Sequence, residues 1–303
     1  MPLPLPLRRW WVLAAAVLTV VVVGVAVLVA RSGDGSPGRP QAGGTTSIPM
    51  PTTSTAMPTT STPMPTASSP SASSASSTSH PGPTSPPGPP PVPAPLRGQD
   101  LTAIPTGARV VALTFDAGAN SAGLPSILAT LAGQHVHATF FLTGQWAAAN
   151  PAGVAAIRAG GHRIGNHSMT HPEFTGLSDA AIRSQLLDAE RAISAAGADP
   201  RPLFRFPFGD RDARTIAAVN ALGYVAVRWT VDTLGWKGTS GGMTAQQVAD
   251  RAVGALRPGE IVLMHIGSNP DDGTTLDADA LGSCLARMRA AGYDFVTLDA
   301  LAG

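Results

Sequence analysis

An α/β fold, with a parallel sheet and helices outside it, is what residues 101–303 predict. Apolar, strand-like runs alternate there with helical patterns, and such alternation argues parallel strands joined by crossover helices. The joints repeat too. "TLAGQHVHATFF", "IRAGGHRIGN", "NALGYVAVRW" and "RAAGYDFVTL" each read as a helix end, a glycine suited to the C′ position, and then an apolar run. Seven strands are expected, beginning near Val110, Val136, His162, Leu203, Tyr224, Ile261 and Asp294. Alternation alone fits both an open doubly wound sheet and a closed barrel.

Some helices announce themselves. Thr244 with Gln247 makes a capping box ahead of "VADRAVGAL". The helix from Ser178 carries Ile182, Leu186 and Ile193 on one face. Cys284 is the single cysteine, so no internal disulfide exists. Leu281 and Met288 flank it at helical spacing, and it reads as a small core residue.

Ahead of this fold the chain has a different texture. Residues 1–9 read as a cytoplasmic N-terminus ending in Arg8 and Arg9. Residues 10–30, Trp10 to Ala30, are uncharged and apolar, close to the ~20 residues a helix needs to cross a bilayer. The arginine pair and the interfacial Trp10 and Trp11 orient such a helix with its N-terminus inside. A cleaved signal peptide is the competing reading, but its apolar core runs only ~7–15 residues; a twin-arginine signal is a weaker match. The expectation is an uncleaved single-pass anchor with the remainder extracytoplasmic, or secreted if the segment is cut. Residues 31–100 are almost entirely Pro, Ser, Thr, Gly and Ala, with near-repeats such as "PMPTTSTAMPTTSTPMPTASS". That composition buries too little apolar surface to offset ordering entropy, and its prolines keep it extended, so a disordered stalk is expected.

Net charge is +1, and from Leu101 onward seventeen acidic residues face fifteen basic ones. A nucleic-acid partner held by bulk charge is excluded, and no obligate protein partner is expected.

The ionisable residues that stand out sit at or just past strand candidates. Asp116 follows the first, His167 and His171 the third, Arg205 lies in the fourth, Asp232 follows "YVAVRWTV", and His265 follows "IVLM". Ligands of parallel α/β sheets bind outside the carboxyl ends of the strands, so these groups are expected to share one rim. One helical turn through "HSMTH" would put both imidazoles on one side, and two neutral imidazoles suit Zn²⁺ or a similar metal. Beside a metal, Asp116 fits a general base and His265 a general acid. Arg205 is expected to pair with Asp116, and Asp232 to fix the tautomer of His265. Against these stand plainer roles: a turn-capping Asp, strand-end histidines bonded to backbone, structural ion pairs. Trp236, in a Gly-rich loop, suits a sugar ring or a packing plug. No H-E-x-x-H helix is present, which leaves a zinc peptidase unsupported.

In this order the motifs resemble the polysaccharide deacetylases of carbohydrate esterase family 4. "TFDAG", "HSMTH", "RFPFG", "DTLGW" and "LMH" are similar to that family's five motifs, and the resemblance covers nearly all of Val110 to Leu298. It implies a distorted (β/α) barrel of about seven parallel strands, and metal-dependent removal of acetyl groups from N-acetylated glycans. It implies Asp116 as base and His265 as acid, supported by Arg205 and Asp232. It makes His167 and His171 the ligands of one divalent ion, Zn²⁺ with Co²⁺ or Mn²⁺ as alternatives. Phe208, Trp236 and Leu263 would wall the sugar and acetyl pocket. One position departs from the pattern: the family's third metal ligand, an Asp, is Ala117 here. Three readings stay open. Asp116 shares the metal; a water or another oxygen donor, with Asn120 or Asn166 in reach, fills the place; or the metal is lost and the domain only binds cell-wall glycan. Location favours peptidoglycan over chitin-like polymers as substrate.

Overall fold

The computed structural model describes residues 91–301. The expected anchor over residues 10–30 and most of the expected stalk lie outside the described residues. Among the described residues no helix is long and apolar enough to cross a membrane.

Among the described residues eight strands and seven α-helices alternate for the most part. β1 (Val110–Ala117) leads to α1 (Leu124–Gly133), and β2 (Thr139–Leu142) to α2 (Gly144–Ala149) and α3 (Pro151–Ala159). β3 (Arg163–Asn166) precedes α4 (Asp179–Ala195), and β4 (Leu203–Phe204) precedes α5 (Ala213–Ala221). β5 (Val225–Ala226) and β6 (Val231–Asp232) follow in close succession before α6 (Ala245–Gly254). β7 (Glu260–His265), α7 (Leu276–Ala290) and β8 (Asp294–Phe295) complete the order.

Seven strands run parallel in the order β5-β4-β3-β2-β1-β7-β6, with β8 off this path against β1. The sheet curls as a half-barrel rather than lying open or closing. Its two end strands, β5 and β6, do not pair with each other. Residues beside this gap link the two sides: Leu101 bridges Val227, and Ala103 bridges Glu260. β8 pairs only with Val110 and Val111, below the stretch of β1 that β2 covers.

The run "YVAVRWTV" was expected as one strand and is two. The ladder stops at Ala226 and resumes at Val231 on the other side of the gap. At three of the four repeated joints a glycine holds the left-handed position: Gly161, Gly223 and Gly292. At the first, Gly133 stays inside α1 and His135 takes that conformation, with φ 52°. Thr244 caps α6 by accepting from Gln247 N, while a reciprocal capping box forms at Asp212 and Thr215 on α5.

The period-2 alternation of strands sorts the side chains. On β1, Val111, Leu113, Phe115 and Ala117 face the helices and join the large core cluster. Ala112, Thr114 and Asp116 take the inner face. On β7, Val262 and Met264 join the outer core, while Ile261, Leu263 and His265 point in. The inner face therefore runs from an apolar plug containing Ala112 and Ile261 up to Asp116 and His265 at the rim. Cys284 is buried in the outer core, and burial pushes its thiol up to about 12.

The stalk was expected to reach residue 100, and it does not. Val92 and Leu96 are buried in the apolar plug with Val225, Val227 and Leu298. A proline-rich composition hid two anchoring side chains. Leu96→Ala should therefore destabilise the domain by about 2–4 kcal/mol, the range for a buried leucine. Urea unfolding with an unchanged slope would measure it; a stalk residue would give no change.

Candidate active site

The rim of the half-barrel gathers the groups that five separate strands deliver. Asp116 and His265 are register partners on the neighbouring strands β1 and β7, and Asp232 is the partner of Leu263 on β6 and β7. A cleft of about 580 Å³ opens there. It is lined by Asp116, His167, His171, Phe208, Asp232, Trp236, Leu263 and His265, together with Gly118, Ala119, Phe206 and Trp229. Arg205 lies beneath this floor, fully buried.

Arg205 and Asp116 form a buried ion pair, with Nη1 donating to Asp116 Oδ1 at 2.8 Å. The same nitrogen donates to Thr114 Oγ1 at 2.9 Å, and Nη2 donates to the Arg228 carbonyl at 2.8 Å. The guanidinium also stacks 4.2 Å from the Phe141 ring centre. Burial alone would raise the pKa of Asp116. The charge of Arg205, followed by His167 and His265, outweighs burial and holds it below the usual carboxylate range.

His167 and His171 meet, but not on a helical turn. The chain leaves β3 at Asn166 into a loop with left-handed residues at Ser168, φ 67°, and His171, φ 61°. Such conformations are uncommon for side chains of this size and need outside support. Asn166 Oδ1 accepts from Ser168 N, Ser168 Oγ accepts from His171 N, and Gln185 Oε1 accepts from Met169 N and Thr170 N. The rings stand edge to face with centres 4.8 Å apart. His167 Nδ1 lies 2.9 Å from the Arg205 carbonyl, which can only accept, so the proton sits on Nδ1. Nε2 is then a free lone pair, 3.4 Å from Asp116 Oδ2. Burial lowers the pKa of both imidazoles, that of His171 to about 4 with His167 adding to it, so both are neutral at physiological pH.

His265 has a different neighbour from the one expected. Asp232 does not touch it: Oδ1 accepts from Leu234 N at 2.8 Å and Oδ2 from Trp236 Nε1 at 3.2 Å. A carboxylate at a strand end binds the backbone N–H two residues on in its own loop before it can reach across the cleft. The acid beside His265 is Asp277 on α7, with Oδ2 3.5 Å from Nδ1. Burial by itself would depress the His265 pKa; Asp277 outweighs it, with Asp116 and Asp232 adding, and the net shift is upward.

Two exposed aromatics flank the cleft: Phe208 is 67% exposed and Trp236 48%. Phe208, at φ 57°, packs edge-on against His171 with ring centres 4.5 Å apart. Sequence reading passed over Trp229, hidden in what looked like a strand interior, and Asp277, in an acidic stretch with no motif.

Set against known proteins, residues 103–227 match the family model described as polysaccharide deacetylase. A chitooligosaccharide deacetylase of Sinorhizobium fredii is 36% identical over 194 residues, spanning 62% of this chain and 88% of the relative. The chain belongs to the polysaccharide deacetylase family. As a member it falls among hydrolases acting on the N-acetyl amide bonds of polysaccharides. Among solved structures, a peptidoglycan N-acetylglucosamine deacetylase is 30% identical with a TM-score of 0.61, covering 66% of this chain and 91% of that one. A carbohydrate esterase family 4 pseudoenzyme from Bacillus anthracis is also 30% identical, with a TM-score of 0.59, covering 65% of this chain and 66% of that one.

The family resemblance implies a divalent metal, and the donor chemistry fits one in part. Two neutral imidazoles lie together, one of them oriented by a backbone carbonyl as metal-binding histidines usually are. Five of these side chains line the cleft, but among the described residues no three His, Cys, Asp or Glu are set closely enough to hold a metal ion together. The carboxamide oxygens of Asn120 and Asn166 are taken by backbone N–H groups of Ala122, Ser268 and Ser168. Ala117 is buried in the outer core and does not line the cleft.

The buried pair sets a stability prediction. Arg205→Met should cost about 3–5 kcal/mol by stranding Asp116 without its cation. The double variant Arg205→Met/Asp116→Asn should recover part of that loss. Denaturant titration of all three forms checks it.

Proposed function

We propose that this protein is a metal-dependent N-deacetylase of N-acetylated cell-wall glycans, with peptidoglycan ahead of chitin-like polymers. The observation that carries the reading is the pairing of Asp116, made anionic by Arg205, with His265, whose pKa is raised, across one cleft. His167 and His171 would hold the cation, Zn²⁺ or in its place Co²⁺ or Mn²⁺. When bound, such an ion polarises the acetyl carbonyl and acidifies water.

Asp116 takes the proton of the attacking water, and Arg205 keeps its carboxylate ionised and aimed. His265 gives a proton to the leaving nitrogen, so the products are acetate and a free amine on the sugar. Asp232 acts through Trp236, whose indole it holds at the cleft wall. Trp236, Phe208 and Leu263 offer flat and apolar surfaces to a sugar ring and its acetyl methyl. The apolar run Trp10–Ala30 and the Pro/Ser/Thr-rich segment behind it suit a single-pass anchor and spacer, which would set the domain against a wall polymer outside the membrane.

A second reading, glycan binding without turnover, draws on the incomplete ligand set and on the likeness to a pseudoenzyme. Acetate release decides between them. The purified chain with peptidoglycan fragments or N-acetylglucosamine oligomers should release acetate, lose this on chelation, and regain it with Zn²⁺, Co²⁺ or Mn²⁺. Binding with no acetate under any metal would leave the second reading.

Three further outcomes are expected. Asp116→Asn and His265→Ala should each lower kcat on the order of 10²–10⁴-fold, the usual contribution of a proton-transfer group. His171→Ala should weaken metal binding by calorimetry at least ~10–100-fold. In pH profiles the acid must stay protonated, so kcat/KM should fall as pH rises through the His265 pKa. That limb should lie above the ordinary histidine value of 6.5.

A further inference from the structure

We propose that Asp277, on the helix after His265, is the positioning residue for the His265 imidazole, in a space that Gly235 leaves open. The proposal rests on the reading of His265 as the proton donor.

Asp277 is 3% exposed, the second residue of α7. Its Oδ2 accepts from the backbone N–H of His265 at 2.9 Å and lies 3.5 Å from Nδ1 of the same residue. One carboxylate oxygen thus addresses both the main chain and the ring of His265. Its Oδ1 lies 2.6 Å from the Thr233 hydroxyl, itself fully buried. His265 Nδ1 is buried and makes no hydrogen bond, so Asp277 is the acceptor within reach. At 3.5 Å the contact is an ion-pair distance, and such contacts are commonly long before substrate binds. The ring as a whole is 29% exposed, so its other edge faces the cleft.

The charge of Asp277 has no arginine or lysine partner among the described residues; its single ion-pair contact is His265. A buried carboxylate with one imidazole for a cation favours the Nδ1–H form and leaves Nε2 to carry the transferable proton. Gly235 makes the room. A Cβ there would stand 2.3 Å from Asp277 Oδ1 and 2.5 Å from its carboxyl carbon. The glycine does not lie in the left-handed region, so its backbone would accept another residue; what excludes a side chain is the carboxylate. Asp116 and Asp232 also face His265 electrostatically, but each is bound elsewhere, to Arg205 and to the Trp236 loop.

The test uses the full-length chain with N-acetylglucosamine oligomers as probe. Asp277→Asn keeps the shape and the Thr233 and backbone contacts open while removing the charge. Its kcat should fall on the order of 10²–10⁴-fold with KM little changed, and long-range nitrogen-15 spectra should show the His265 proton leaving Nδ1. Gly235→Ala, which presses on the carboxylate without removing it, should lower kcat in the same direction. A folded Asp277→Asn with wild-type kcat, or with Nδ1 still protonated as in the wild type, overturns the proposal; so does Gly235→Ala with full kcat if Asp277→Asn does not fold. Should the wild-type chain release no acetate, the functional reading fails instead, and the nitrogen-15 comparison alone decides whether Asp277 holds the ring.

Discussion

Arg205 is sealed from water, so each of its N–H groups must find an acceptor inside the protein or be left at a cost of ~1–3 kcal/mol. The acceptors it finds belong to β1, through Asp116 and Thr114, and to the segment after β5, through Arg228. Its own carbonyl meanwhile receives His167. One residue therefore aims the carboxylate with its side chain and the first imidazole with its backbone. Moving Arg205 would disturb both halves of the candidate site at once.

Around that anchor the rim is built from loops held by polar side chains rather than by regular structure. Ser168, His171, Phe208 and Leu234 are all left-handed and all lie in the loops that form the cleft. Gln185 and Asn166 clamp the histidine loop from α4 and β3. Asn269 holds the Trp236 loop by donating to the Trp236 carbonyl. The left-handed backbone at Ser168 and His171 is tolerated because that loop is tied to β3 and α4.

Much of this was legible in the sequence because strand alternation and motif order are local signals. Seven strand positions and the helix from Ser178 followed from patterns within a few residues of each other, and of the nine side chains singled out by strand ends or by the family resemblance, eight line one cleft. The misreadings share a cause. The gap after Ala226, the loop conformation of "HSMTH", the burial of Val92 and Leu96, and the partner of His265 depend on groups distant in the chain. Val92 meets Leu298, and Asp277 meets His265 only because α7 begins where β7 ends its climb.

By itself the sequence determined which residues alternate inward, where helices begin, and which ionisable groups reach strand ends, since these follow from backbone period and capping chemistry. Tertiary structure alone decided which carboxylate lies beside His265. Asp232 and Asp277 are equally acidic on paper; one is captured by its own loop and the other is carried by a helix to the buried side of an imidazole. Hydrogen-bond competition over a few ångströms makes that choice, and no spacing along the chain encodes it.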